Sequence, residues 1–199
     1  FKAKSTYPFA FAPVIVNSKD EFEGMIVRGL GQEYNWADFS KYIVSGRAIN
    51  YSDEASTEVL LSESTANRLK VGLGDNIIIN IIKNGQRIRR RTTIVGMYKT
   101  GLEEYDQRFI IADLKKVQEL LRWNENQVAG FELVLDNVEN LGLINEWIYF
   151  EILPSRLFSM TIREKFPNIF EWLDLQDFNA IVILVLMVIV AIINMITSV

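Results

Sequence analysis

The sequence of 199 residues contains no cysteine and no histidine. The first absence excludes disulfides and thiolate metal sites. The second removes the commonest general base and the commonest metal ligand. A catalyst would have to work with carboxylates, Lys, Tyr, Ser or Thr, and no histidine-based triad or nucleophile elbow can be assembled. Enzymatic activity is therefore not expected, and neither a cofactor nor a bound metal is. The net charge of −4 is spread without blocks, which argues against nucleic acid, since phosphate binding needs a concentrated basic surface. Gly72-x-Gly74 lacks the Gly-Lys-Ser/Thr that a phosphate loop needs. Lys and Arg stop at Lys165, and charge of either sign is missing from Ala180 to Val199.

That last stretch, AIVILVLMVIVAIINMITSV, organises the rest. It is about twenty residues long, the length a helix needs to cross a hydrocarbon core. Its apolar residues run all the way round, and its place at the C-terminal end excludes a secretory signal. Glu171, Asp174 and Asp177 precede it, and an acidic flank without Lys or Arg points outward from the cytoplasm. Trp172 fits an interfacial anchor, with a core tryptophan as the alternative. Asn194, Thr197 and Ser198 are the polar residues of the span; they read as helix-packing positions or as residues near the far interface. The expected organisation is an extracytoplasmic domain over 1–172, then a juxtamembrane segment and membrane helix over 173–199. Beginning at Phe1 with neither initiator Met nor signal peptide, the chain is expected to be part of something longer.

The remaining residues, with 49% hydrophobic content overall, suffice for a full core. Phe1 to Pro13 reads as extended, and Val14–Val16 and Gly24–Leu30 as strands. WADFSKYI has helical spacing, and NYSDEAST is a surface loop. Val59–Leu61 reads as a strand, Ser62 as the cap of the helix STANRLK, and Gly72 or Gly74 as its stop or turn. Asn76–Ile82 and Arg87–Tyr98 form a hairpin about Asn84-Gly85, the dipeptide that most favours a tight turn. TGLEEYDQ reads as a loop, RFIIA as a strand, and Asp113 as the cap of a helix with Leu114, Val117, Leu120 and Leu121 on one face. Phe131–Leu135 is a strand, INEWIYFEIL is helix or strand, Met160–Ile162 is a strand, and a helix starts at Pro167. The class is α+β with short mixed elements.

Arg87, Arg89 and Arg91 fall on one face of the hairpin. They read either as solvated charge or as contacts for an acidic partner or lipid headgroups. Glu103, Glu104 and Asp106 match no calcium-loop spacing.

VLLSESTANRLKVGLGDNIII, TIVGMYKTGLEEYDQRFIIADLKKVQELL and VAGFELVLDN, in this order, resemble the extracytoplasmic domain of MacB/FtsX-type ABC-transporter permeases. The pattern is most similar to the lipoprotein-releasing (LolC/LolE-type) permeases. It is carried by Ala66, Leu69, Val71, Gly72, Gly74, Asp75, Val95, Gly96, Gly101 and Asp106, with the close of the chain resembling the family's second transmembrane helix. The resemblance implies a MacB-like periplasmic core domain in two lobes, in the inner membrane with the main domain on the periplasmic side. It implies a cytoplasmic ATPase partner that uses the ATP, a second permease subunit (homo- or heterodimer), and a lipophilic or lipoprotein substrate. It also implies one membrane helix before the outer domain and three after it, and a longer segment between Asn137 and Thr161 than this chain carries. An FtsX-like regulator of a cell-wall hydrolase and a membrane-anchored binding module are the alternatives. Family members that pass cargo to a soluble carrier use a long protruding hairpin loop; Asn84-Gly85 leaves room only for a tight turn.

Overall fold

The computed structural model describes residues 3–18, 21–83, 85–137 and 140–197. The strands are β1 (Ala3–Asn17), β2 (Phe22–Leu30), β3 (Ile43–Gly46), β4 (Glu58–Ser62), β5 (Asn76–Lys83), β6 (Gln86–Tyr98), β7 (Phe109–Asp113) and β8 (Gly130–Leu135). The helices are α1 (Trp36–Phe39, continued by a tighter turn to Tyr42), α2 (Glu63–Leu69), α3 (Glu103–Arg108), α4 (Leu114–Leu121), α5 (Leu141–Trp147, continued by a wider turn to Ile152), α6 (Ile162–Lys165) and α7 (Pro167–Thr197). They fall into two units, residues 2–135 and residues 136–199.

In the first unit every strand joins one mixed sheet, ordered β2-β7-β4-β6-β5-β1-β8, with β3 beside β6. Because β1 also pairs with β2, the six central strands close on themselves. The two lobes expected from the resemblance are therefore corrected: the β5–β6 hairpin and the strands at both ends of this unit share one sheet. The reason lies in β1, whose fifteen residues are long enough to serve three partners. Its residues 3–9 take β8, its residues 15–17 take β5, and its other edge takes β2 along residues 9–17.

Alternation then sorts the side chains onto two faces. One face buries Ala10, Ala12, Val14 and Val16 of β1, Val27 of β2, Ile77, Ile79 and Ile81 of β5, and Ile110 of β7 against Leu114, Val117 and Leu120 of α4. Gly29 lets α4 approach, since a Cβ there would lie 2.9 Å from Val117. The other face buries Leu30, Leu60, Ile111 and Tyr98 with Phe39 and the partly buried Tyr34, Trp36 and Tyr105. Each fully buried aliphatic side chain contributes about 1.5–3 kcal/mol.

Local signals hold at the caps. The Ser62 hydroxyl accepts from Thr65 N–H at the start of α2, and Asp113 accepts from Lys115 N–H at the start of α4. Both helices stop at a left-handed residue that is not glycine, Lys70 (φ 54) and Arg122 (φ 52), so the stop of α2 precedes both expected glycines. Gly74 (φ +81) shapes the turn beyond. Two further expectations are corrected. TGLEEYDQ is not a loop, since its residues 103–107 open α3. Met160–Ile162 is not a strand, because Thr161 and Glu164 form a reciprocal capping box that starts α6.

In the second unit, INEWIYFEIL is helical, and α7 runs unbroken over 31 residues. The boundary expected at 172/173 falls inside α7, and the packed sheet unit ends earlier, at Leu135.

Candidate functional site

The residues that carried the family pattern shape turns and core. Ala66 and Leu69 are buried on α2. The Asp75 carboxylate accepts from Gly72 N–H at 2.8 Å and fixes the turn between α2 and β5. Asp106 is turned inward and accepts from Thr100 N–H at 3.1 Å and from Thr100 Oγ1 at 2.7 Å, which closes the turn around Gly101 (φ +83). Of the three acidic residues at 103–106, one is thus structural. Among the described residues no cluster of Asp or Glu could hold a metal ion.

The expected basic face is present. Arg87, Arg89 and Arg91 are exposed, while Ile88 and Thr92, on the opposite side of β6, are buried. Their cross-strand neighbours on β5 are Ile82, Asn80 and Ile78, and Ile15 of β1 lies beside Asn80. Arg87 Nε donates to Asn80 Oδ1 at 3.1 Å. Among the described residues no carboxylate forms an ion pair with any of the three. Exposed Ile82, Ile15 and Phe22 share this uncovered part of the sheet. Lys83 pairs with Gln86, so residues 84 and 85 alone connect the strands, with Gly85 at φ +74. Asn84 itself lies outside the described residues.

Further along the same face the surface is covered and holds a charge that sequence reasoning missed. Arg28 on β2 is 7% exposed. Its Nη1 donates to the Tyr105 hydroxyl at 2.8 Å and its Nη2 pairs with Glu132 of β8. Burial alone would lower the guanidinium pKa, but Tyr105, Glu132 and Tyr34 outweigh it and the value is raised. Burial pushes the neighbouring Tyr34 hydroxyl up to about 12. The only sequence signal for this site is one Arg inside the otherwise apolar strand GMIVRGL.

On α7, Trp172 is 57% exposed and no residue is buried in the described part of the span, residues 180–197. Asn194 lies in a shallow apolar groove with Ile183, Met187 and Ala191. The Thr197 hydroxyl donates to the carbonyls of Ile193 and Asn194, within its own helix. Ser198 is outside the described residues. The 31 residues of α7 are long and apolar enough to cross a membrane.

Among curated proteins none matches the sequence. The fold is that of the extracellular domain of the noncanonic ABC-type transporter YknZ from Gram-positive bacteria, with a TM-score of 0.50 at 14% identity, covering 72% of this chain and 71% of that one. The periplasmic region of MacB from Actinobacillus actinomycetemcomitans is also similar, with a TM-score of 0.49 at 15% identity over 71% of this chain and 63% of that one. Residues 3–147 match the family described as MacB-like periplasmic core domain. With nearly three quarters of its length inside that match, the chain belongs to the MacB-like periplasmic core domain family.

Proposed function

We propose that this chain is the extracytoplasmic domain of an ABC-transporter permease subunit, together with the transmembrane helix that follows it. The observation that carries the reading is the pairing of Ala3 with Leu135: both ends of the sheet unit leave it side by side. A domain inserted between two membrane helices needs that arrangement, and α7 supplies one such helix downstream. Family membership agrees with it.

In this reading a separate cytoplasmic ATPase burns the ATP, and the permease works as a homo- or heterodimer in the inner membrane. Movement of the membrane helices reaches the sheet through β1 and β8, and the outer domain works on a lipophilic substrate such as a lipoprotein of the lipoprotein-releasing type. Arg28 of β2 pairs with Glu132 of β8 across β1, so β8 would move with the sheet rather than peel from it.

The two-residue turn after Lys83 offers no hook for a soluble carrier. This subunit then works beside another permease that bears one, or without a carrier, and Arg87, Arg89 and Arg91 remain its candidate contacts with a partner or with lipid. The test is purification of the full-length protein from membranes, followed by ATP hydrolysis with and without lipoprotein in vesicles. Co-purification of an ABC ATPase whose turnover responds to lipoprotein supports the proposal. A peptidoglycan hydrolase as the partner, with no lipid-linked cargo, would replace it with the regulator reading. Crosslinkers at Arg89 in the native envelope test the carrier clause: an adduct to a soluble carrier, lost in Arg89→Glu, would refute it.

A further inference from the structure

The second unit carries large apolar side chains in the open well before the span begins. Leu143 (68% exposed), Trp147 (48%) and Phe150 (75%) stand at i, i+4 and i+7 along α5 and its continuation, one stripe of one helix. Asn145 and Glu146 lie off that stripe, Glu151 falls on it, and exposed Tyr149 and Ile152 lie off it, so the segment is apolar over most of its surface. After the break at Pro154 the chain turns, and the Ser159 hydroxyl donates to the Asn145 carbonyl at 3.4 Å, which brings the turn alongside α5. That turn adds Leu157 (52% exposed), Phe158 (73%) and Met160 (54%). Soluble surfaces rarely leave a contiguous group of this size uncovered.

Chemistry and chain continuity select what covers it. The group is aromatic and aliphatic, and from Leu141 to Met160 its charges are Glu146, Glu151 and one Arg156, a net negative balance that gives little attraction to an anionic surface. The same chain runs from this segment through α6 directly into α7, whose apolar span starts near Ala180. Trp172 stands eight helical steps before Ala180, about 12 Å at 1.5 Å per residue, which is interfacial depth when the span is in hydrocarbon. A largely apolar helix tethered this close to a bilayer meets lipid at a high effective concentration.

We propose that α5 and the turn 157–160 lie in the lipid–water interface of the bilayer that α7 crosses, with Leu143, Trp147, Phe150 and Phe158 as apolar anchors. The occupant is the glycerol and upper acyl region of the bilayer, held by buried apolar area and not by charge. The arrangement makes residues 140–166 an interfacial segment ahead of the span. The inference rests on α7 entering a bilayer, which is part of the function proposed above.

The cysteine-free sequence allows a direct test. The full chain is reconstituted in phosphatidylcholine vesicles with a single fluorophore attached through Leu143→Cys, Phe150→Cys, Ile183→Cys or Arg89→Cys. Nitroxide-labelled lipids then quench each fluorophore by depth. Expected is strong quenching of the 143 and 150 labels by nitroxides near the headgroup and weaker quenching by mid-chain ones, as for a face sunk about 5–10 Å. The 183 label should follow the mid-chain quencher, the 89 label should stay unquenched, and raising salt should change none of these. Quenching at 183 without quenching at 143 and 150 would overturn the inference and leave the span intact. A disulfide formed between two copies at Phe150→Cys would overturn it in favour of a subunit interface. Loss of quenching at 183 would sink the membrane reading itself. In Phe150→Asp the 143 label should lose most of its quenching while α7 remains inserted; unchanged quenching there would refute the anchor role.

Discussion

Ala3, at the start of β1, pairs across the sheet with Leu135, the last residue of β8. The strand that opens the unit and the strand that closes it thus form one antiparallel ribbon, with Thr6 opposite Leu133 inside it. Whatever pulls on one end of the domain pulls on the other.

A disulfide tests that ribbon. Directly opposed antiparallel residues have Cα atoms about 4.5–5.5 Å apart, within disulfide range. Thr6→Cys with Leu133→Cys should therefore oxidise completely within one chain. Closing a loop of nearly the whole unit should stabilise it by up to about 4 kcal/mol, read as a raised midpoint of denaturant unfolding. Failure to oxidise would show that β8 does not sit on β1 in this register.

The Arg28–Glu132 pair predicts an asymmetric mutational response. Glu132→Gln leaves a buried guanidinium without its charge partner and should cost about 1–3 kcal/mol, moderated because the Glu132 side chain is 37% exposed. Arg28→Met combined with Glu132→Gln should recover part of that loss, since a well-packed apolar replacement avoids the desolvation of both charges. Additive losses in the double variant, measured by chemical unfolding, would argue against coupling.

Asp113 predicts a pH dependence. Burial raises its carboxyl above the usual value, although the N–H groups of Ser56 and Lys115 pull the other way. A raised folded-state pKa means that its contribution is complete below the unfolded value, about 3.9, and is lost as pH rises through the folded value. Asp113→Asn carries no charge and keeps an acceptor for only one of the two N–H groups, because Ser56 and Lys115 bond to different oxygens, a loss that does not vary with pH. Its stability relative to the parent protein should therefore grow as pH rises from about 3 to 7. A difference that is flat across this range would contradict the assignment.

Truncation separates the two units. A chain ending at Asn137 should be soluble and unfold cooperatively, because the sheet closes within residues 2–135. A chain ending at Trp172 keeps exposed Leu143, Phe150 and Phe158 and should associate or bind detergent micelles. Equal solubility of the two, by size-exclusion chromatography, would count against this division.

Local chemistry made much of the fold legible. Ser62 and Asp113 announce their helices, Asn84-Gly85 announces a hairpin, and the uncharged run before Val199 announces a span. Thr161-x-x-Glu164 was an equally local signal, and a strand reading of Met160–Ile162 passed over it. Helix α3 had no such mark, since Leu102 precedes it without a side-chain cap. The closed sheet was not legible, because it depends on one long strand accepting three partners, a choice set by distant registers. Arg28 was hidden for the same reason: its partners Tyr105 and Glu132 lie 77 and 104 residues away. The three hairpin arginines were found because strand alternation alone places them.

In the proposed function the sheet unit lies outside the cytoplasm and α7 crosses the membrane. Labelling of single cysteines in intact cells with a membrane-impermeant maleimide tests it most directly. Arg89→Cys should be labelled in intact cells whose outer barrier is permeable to the reagent, and Ile183→Cys should remain protected even after lysis until detergent is added. Labelling of Arg89→Cys only after lysis would place the domain in the cytoplasm and contradict the account.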